Sequence, residues 1–212
     1  MCGGVRIVFD QARALILRGH RVSILSRLGD HEWYPYPVEV HYAPDFFQAC
    51  AGIFPDIVVG TFWKTIKPAA ELNRGLPVHL CQGCEWSIPE YKDIHADIEN
   101  VYRLPIPKIT VGEWLNEQIW ERFGKGAFPV ECVGQIADTD MFQPPSLMEK
   151  AKNFFRRCSF SRILTVGMFE SQVSIGIALK AVARVREKGF PIYLARYIST
   201  VPLTENERQI TH

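Results

Sequence analysis

No stretch of this chain is apolar over the roughly 20 residues that a bilayer span requires. Met1 leads through Gly3 and Gly4 to Arg6 without the apolar core of a signal peptide. The expectation is a cytoplasmic protein, at most peripheral at the inner face of a membrane. An excess of one charge is also missing. The 24 Lys and Arg balance 23 Asp and Glu, for a net charge of +1, so bulk electrostatics give no reason to expect a nucleic-acid partner. Metal-ligand spacing is sparse. The six cysteines are scattered, and Cys81-Gln82-Gly83-Cys84 has no second CxxC and no HxxxH to complete a zinc site. A thioredoxin-type pair would open a helix, whereas this one closes a strand, so unpaired cysteines are expected. No G-x-G-x-x-G follows a strand, which argues against a Rossmann-type enzyme that uses a dinucleotide. No metal and no cofactor is expected. Internal repeats and low-complexity tracts are absent as well.

What is present is the composition of a folded globular chain, 47% hydrophobic and 22% charged. Short apolar runs alternate with helical patterns along its whole length. Val5, Val8, Phe9, Ala12, Leu15 and Ile16 repeat at helical spacing, and Gly19 closes that helix. Buried strands are expected at Val22–Leu25 and Pro55–Gly60, and others at Val38–His41, Pro77–Cys81, Lys108–Val111 and Val130–Val133. Helices are expected at Phe46–Ile53, Trp63–Asn73 and Glu113–Phe123. Such alternation predicts a parallel sheet with helices on both faces, a Rossmann-like α/β fold. Residues 138–146, with Pro144 and Pro145, read as a linker. A second unit follows, with helices at Leu147–Phe155 and Ile175–Lys188 and strands at Arg162–Val166 and Ile192–Tyr197. Two strands and a crossover helix cannot bury both faces of a sheet, so this unit is expected to be incomplete and its edge adhesive.

The candidate site begins at Cys2-Gly3-Gly4-Val5-Arg6. A helix that opens on two glycines presents unpaired backbone N–H groups, and the missing side chains let a ligand approach the main chain. The alternative is a tight turn with no ligand. Glu85, beyond the strand Pro77–Cys81, is placed for a substrate hydroxyl, or is a solvated loop carboxylate. Trp33, Tyr34 and Tyr36 could stack on a sugar ring or pack as core and rim. His20 and His79 fall at strand positions and are expected to be hydrogen-bonded within the fold.

Gly3-Gly4-Val5-Arg6, followed by a helix and Arg18-Gly19-His20-Arg21-Val22-Ser23-Ile24-Leu25, resembles the opening of family 4 glycosyltransferases, which have the two-domain GT-B fold. Pro55-Asp56-Ile57-Val58-Val59, Lys108-Ile109-Thr110-Val111-Gly112-Glu113-Trp114-Leu115 and Val133–Pro144 resemble later segments of that family, in order. Ile163-Leu164-Thr165-Val166-Gly167-Met168-Phe169-Glu170 resembles the first strand of its second domain. Tyr102–Lys108 and Gln82-Gly83-Cys84-Glu85 are similar to a subgroup linked to rhamnan and other surface-polysaccharide synthesis.

The resemblance implies transfer of a sugar from a nucleotide-sugar to a glycan or lipid-linked acceptor, with retention at the anomeric carbon. It implies an acceptor-side domain over residues 1–137, lacking its first strand. Residues 147–212 would be the beginning of the nucleotide-sugar-binding domain. Donor and substrate contacts are carried over to Gly3, Gly4, Gln82, Gly83, Glu85, Gly167 and Glu170. Met168 and Val173-Ser174-Ile175-Gly176 stand where the family carries the arginine and Lys-Gly pair that neutralise the donor diphosphate. The expected chain is therefore a fragment, truncated at both ends, with little or no turnover by itself. The competing expectation is a non-catalytic or decayed relative that binds a protein partner through its unfinished sheet.

Overall fold

The computed structural model describes residues 3–27, 29, 31–135, 139, 143–155, 161–166, 173–197, 204, 205, 208 and 209. The chain divides into two compact units, one spanning Gly3–Asp138 and the other built from Thr139 onward.

The first unit opens with helix α1, Gly3–Ile16. Its apolar stripe buries Phe9 and Ala12. The helix stops at Gly19, whose φ of +88° suits glycine, and the His20 N–H donates to the Leu15 carbonyl at 3.1 Å. Strands β1 (Ser23–Ser26) and β2 (Glu39–Tyr42) then pair in parallel. The short helix α2 (Phe46–Ala49) follows, its first turn held by Asp45, which accepts from the Phe47 N–H at 2.9 Å. The composition suggested a helix as far as Ile53. Gly52, at φ +87°, and Pro55 beyond it end the helix early.

Next come β3 (Ile57–Gly60), α3 (Trp63–Glu71) and β4 (Leu76–Cys81). Two 3₁₀ turns at Glu85–Ser87 and Pro89–Ile94 lead into α4 (His95–Tyr102). The unit closes with β5 (Lys108–Thr110), α5 (Glu113–Phe123) and β6 (Val130–Cys132). The strands β3-β4-β5-β6 form one four-stranded, all-parallel sheet in chain order, and β1 and β2 form a separate pair. This is a Rossmann-like α/β arrangement.

Residues two apart on a strand share a face. Gly60, His79 and Lys108 lie side by side in the register, so Val58, Cys81 and Thr110 face the same way. Helices α3, α4 and α5 cover that face. A Cβ on Gly60 would come within 2.9 Å of the Ile66 Cα in α3. Cys81 is buried with Ile98 and Tyr102 of α4 and Leu115 and Ile119 of α5. Lys108 is 1% exposed, and its ammonium donates to the Leu104 and Ile106 carbonyls at 3.0 and 3.2 Å. The same ammonium sits 3.5 Å above the Phe128 ring centre. Burial pulls its pKa down to about 8.

Two expectations of burial are corrected. The residues of β1 are half-buried or exposed, and in β3 Ile57 and Val59 are 57% and 48% exposed. Each of these strands has only one neighbour, and the Ile57 side of β3 faces away from α3.

In the second unit, α6 (Leu147–Phe155) is opened by a capping box. Ser146 Oγ accepts from the Glu149 N–H, and the Glu149 carboxylate accepts from the Ser146 N–H at 2.8 Å. Strands β7 (Ser161–Val166) and β8 (Ile192–Tyr197) pair in parallel, and α7 (Val173–Glu187) joins them. Ile175, Leu179 and Val182 of α7 pack on Leu194.

Candidate functional site

Parallel strands deliver their carboxyl-terminal loops to one end of a sheet, where ligands of such folds are held. In the first unit that end gathers the loop after β3, the segment Gln82–Ser87 after β4, and the amino terminus of α1. The two glycines open a helix, as expected. They are the first turn of α1 itself. The amides of Gly3, Gly4 and Val5 therefore have no acceptor within the helix and carry the positive end of its dipole.

Gly4 lies directly against Gln82. A methyl group at Gly4 would sit 3.2 Å from Gln82 Oε1. That oxygen is buried and has no hydrogen-bond partner. An orphaned amide oxygen costs on the order of 1–3 kcal/mol, so something must offset it when the site is filled or hydrated. Gly83, the next residue, faces open space.

Glu85 closes the other side of the segment. Its Oε2 accepts from the Trp63 N–H at 3.1 Å, at the first turn of α3. The Tyr102 hydroxyl lies 3.3 Å from the same oxygen and 3.1 Å from the Gly83 carbonyl, so one proton is shared between two acceptors. Glu85 Oε1 has no partner among the described residues. Burial raises the pKa of Glu85 to about 7, against the smaller opposing pull of the Trp63 amide and the Tyr102 hydroxyl. Glu85 is therefore not a fully solvated loop carboxylate: one of its oxygens braces α3.

Gly3, Gly4, Gln82, Gly83 and Glu85 thus belong to one end of one sheet. Gly167 and Glu170 lie outside the described residues. Sequence reasoning missed Trp63 and Tyr102. Trp63 Nε1 is buried without a hydrogen-bond partner, and Tyr102 is 1% exposed beneath Gly83. The signal for Trp63 was its place just beyond the carboxyl end of β3; Tyr102 entered only as the first residue of the segment similar to the polysaccharide subgroup.

Three other sequence candidates resolve as packing. Tyr34 is buried on Phe9, and its hydroxyl donates to Asp10 at 2.9 Å. Arg6 Nε completes that network with bonds of 3.0 and 2.9 Å to the Asp10 carboxylate. Trp33 and Tyr36 pack around Tyr34. His79 is buried edge-on to Tyr102, and its Nδ1 has no hydrogen-bond partner, contrary to expectation. Burial and the neighbouring Lys108 charge lower its pKa to about 3, so it is neutral. His20 lies outside any strand and is exposed. Cys81 and Cys84 are unpaired thiols, and burial raises both pKa values, which removes the thiolate that redox exchange needs.

Among the described residues, no cluster of three or more His, Cys, Asp or Glu could hold a metal ion, and no helix is long and apolar enough to cross a membrane. No protein-family model matches the chain, and no curated protein matches its sequence. The fold and the site define the class without further help: an α/β protein with a Rossmann-like parallel sheet and a polar cluster at its carboxyl end.

Proposed function

We propose that the first unit binds the activated sugar of a nucleotide-sugar donor, as a glycosyltransferase lobe of the GT-B kind. The observation that carries this reading is the approach of Gly4 to the orphaned Gln82 oxygen. A helix amino terminus holds a phosphate oxygen, and an acceptor amide beside it takes a sugar hydroxyl. Glu85 Oε1 supplies a second acceptor for the sugar. In the reaction, an acceptor hydroxyl oxygen bonds to the anomeric carbon as the carbon–oxygen bond to the diphosphate breaks. The diphosphate leaves with the electron pair and its departing oxygen takes up the proton of the acceptor hydroxyl, while the helix amides stabilise the remaining charge. The acceptor is a glycan or a lipid-linked sugar.

Calorimetric titration of the whole chain with UDP, GDP and their hexose conjugates tests this. Saturable binding is expected for at least one nucleoside diphosphate-sugar, and none for nicotinamide dinucleotides. Gly4→Val crowds Gln82 and is expected to weaken that binding at least tenfold, about 1.4 kcal/mol. Equal binding by Gly4→Val and the parent chain, or no binding of any nucleotide-sugar, would overturn the reading.

A further inference from the structure

One hydroxyl at the site serves two acceptors. Tyr102 of α4 is 1% exposed. Its ring is met edge-on by His79 and Trp86 and is stacked on Phe123, so it cannot swing aside. The hydroxyl lies 3.1 Å from the Gly83 carbonyl and 3.3 Å from Glu85 Oε2, and a phenol has one proton to give. Burial, and then the Glu85 charge, raise the Tyr102 pKa well above the ordinary tyrosine value, so that proton is kept. Gly83 depends on it. Among the described residues no other hydrogen bond reaches the Gly83 carbonyl, and a side chain built at Gly83 would meet nothing within 4 Å. The Tyr102 hydroxyl, not packing, holds this peptide.

Which acceptor wins depends on the charge of Glu85. A carboxylate accepts more strongly than an amide carbonyl, because the bond is charge-assisted. A neutral carboxylic acid accepts more weakly, and with its proton on Oε2 it donates to Tyr102 instead. Either neutral arrangement leaves the Tyr102 proton to the Gly83 carbonyl. The surrounding groups do not compete for it. Burial keeps the Cys81 and Cys84 thiols protonated, and burial with the Lys108 charge keeps His79 neutral. Lys108 of β5, paired in register with His79, titrates at about 8. Helix α3 contributes the Trp63 amide and Lys64, whose ammonium lies 5.2 Å from the Trp63 ring centre, and Tyr91 packs on that ring. Helix α5 contributes Phe123, beneath the Arg103 guanidinium.

We propose that Tyr102 is a positioning residue whose hydroxyl changes acceptor as Glu85 ionises, from the Gly83 carbonyl to Glu85 Oε2. With Glu85 neutral, Tyr102 ties the Gly83–Cys84 peptide to α4. With Glu85 ionised, its proton has passed to water and that peptide is released. The release is confined, because the Cys84 carbonyl still accepts from the Ser87 N–H at 2.9 Å and the Ser87 hydroxyl at 2.8 Å. The freed peptide lies between Gln82, which faces Gly4, and Glu85 itself. The charge on Glu85 thereby sets the freedom of the segment that meets the ligand. The inference deepens the sugar-site reading and rests on it only for the identity of that ligand.

Gly83-Cys84 is the one Gly-Cys pair in the sequence. Carbon-13 at the glycine carbonyls and nitrogen-15 at the cysteines therefore give a single carbonyl–amide correlation in the NMR spectrum of the whole chain. Its carbon shift reads the hydrogen bond on the Gly83 carbonyl. As pH rises, the shift is expected to move upfield, as a bond is lost, in one step centred near 7. In Glu85→Gln it is expected to stay at the low-pH position throughout; a step that persists there comes from another group, such as Lys108, and overturns the proposal. In Tyr102→Phe it is expected at the upfield position at every pH. An unchanged step in Tyr102→Phe would mean that the carbonyl senses the Glu85 charge alone, and it overturns the proposal, as does a parent chain with no step. Nitrogen-15 relaxation of the same Cys84 amide decides the matter even if Tyr102→Phe does not fold: its order parameter is expected to fall above the step, and equal order on both sides overturns release. No nucleotide-sugar is present in these measurements, so they succeed or fail separately from the sugar reading.

Discussion

Gly75→Ala is expected to destabilise the first unit by about 4 kcal/mol, combining left-handed backbone strain with overpacking. Gly75 turns the chain from α3 into β4 with φ at +69°, where a side chain is disfavoured. Space is the larger difficulty. A Cβ there would lie 2.9 Å from the carbonyl carbon and oxygen of Asp56, and closer still to the Pro55 carbonyl. These are backbone atoms at the entrance to β3 and cannot rotate aside. The Asp56 carbonyl also accepts the Leu76 N–H at 2.8 Å, so relief of the clash would break the first bond of the β3–β4 ladder. Gly19→Ala is the control. Its φ is +88°, but nothing lies within 4 Å, so it is expected to cost about 1 kcal/mol through strain alone. Urea unfolding of both variants checks this; equal losses would show that the contact with β3 is unimportant.

That turn also bears on the site. The strand that begins at Leu76 ends at Cys81 and delivers Gln82, Gly83 and Glu85, and β3 delivers the chain to Trp63. The β3–β4 ladder thus runs from this turn to the strand ends that lead to Trp63 and Glu85.

Most of the element order was legible in the residues because apolar runs, glycines and prolines mark it locally. Helix α5 at Glu113–Phe123, α6 at Leu147–Phe155 and β8 at Ile192–Tyr197 have the expected ends. The 3₁₀ turn Pro89–Ile94 was not legible, since its residues carry neither helical nor strand periodicity. The exposure of Ile57 and Val59 was not legible either. An apolar strand reads the same whether its neighbours are present or absent, because periodicity reports the strand and not what flanks it. At the site, glycine and carboxylate chemistry pointed to Gly4 and Glu85 one at a time. Their gathering with Trp63 and Tyr102 depends on strand order, and so does the bracing role of Glu85.

Glu85→Gln is expected to remove a pH dependence of about 3 kcal/mol from the stability of the chain. In the unfolded state this carboxyl titrates at its ordinary value of 4.5, and in the fold at about 7. Between those values the unfolded chain has released the proton and the folded chain keeps it. Rising pH therefore favours unfolding across that window. The stability that burial of the neutral acid allows is fully present below about 4.5 and gone above about 7, a change of 1.36 kcal/mol per pKa unit. Glutamine stays neutral throughout, and its amide oxygen still accepts the Trp63 N–H. The variant should match the parent at pH 4.5 and exceed it by about 3 kcal/mol at pH 8, as read from urea unfolding. Curves that stay parallel from pH 4.5 to 8 would mean that Glu85 ionises freely in the fold. The unpartnered Oε1, one residue beyond Cys84 and two beyond Gly83, is the atom that would take a ligand hydroxyl under the proposed function. Nucleotide-sugar affinity should then rise as Glu85 ionises between pH 6 and 8, and Glu85→Gln should flatten that rise without the tenfold loss expected of Gly4→Val.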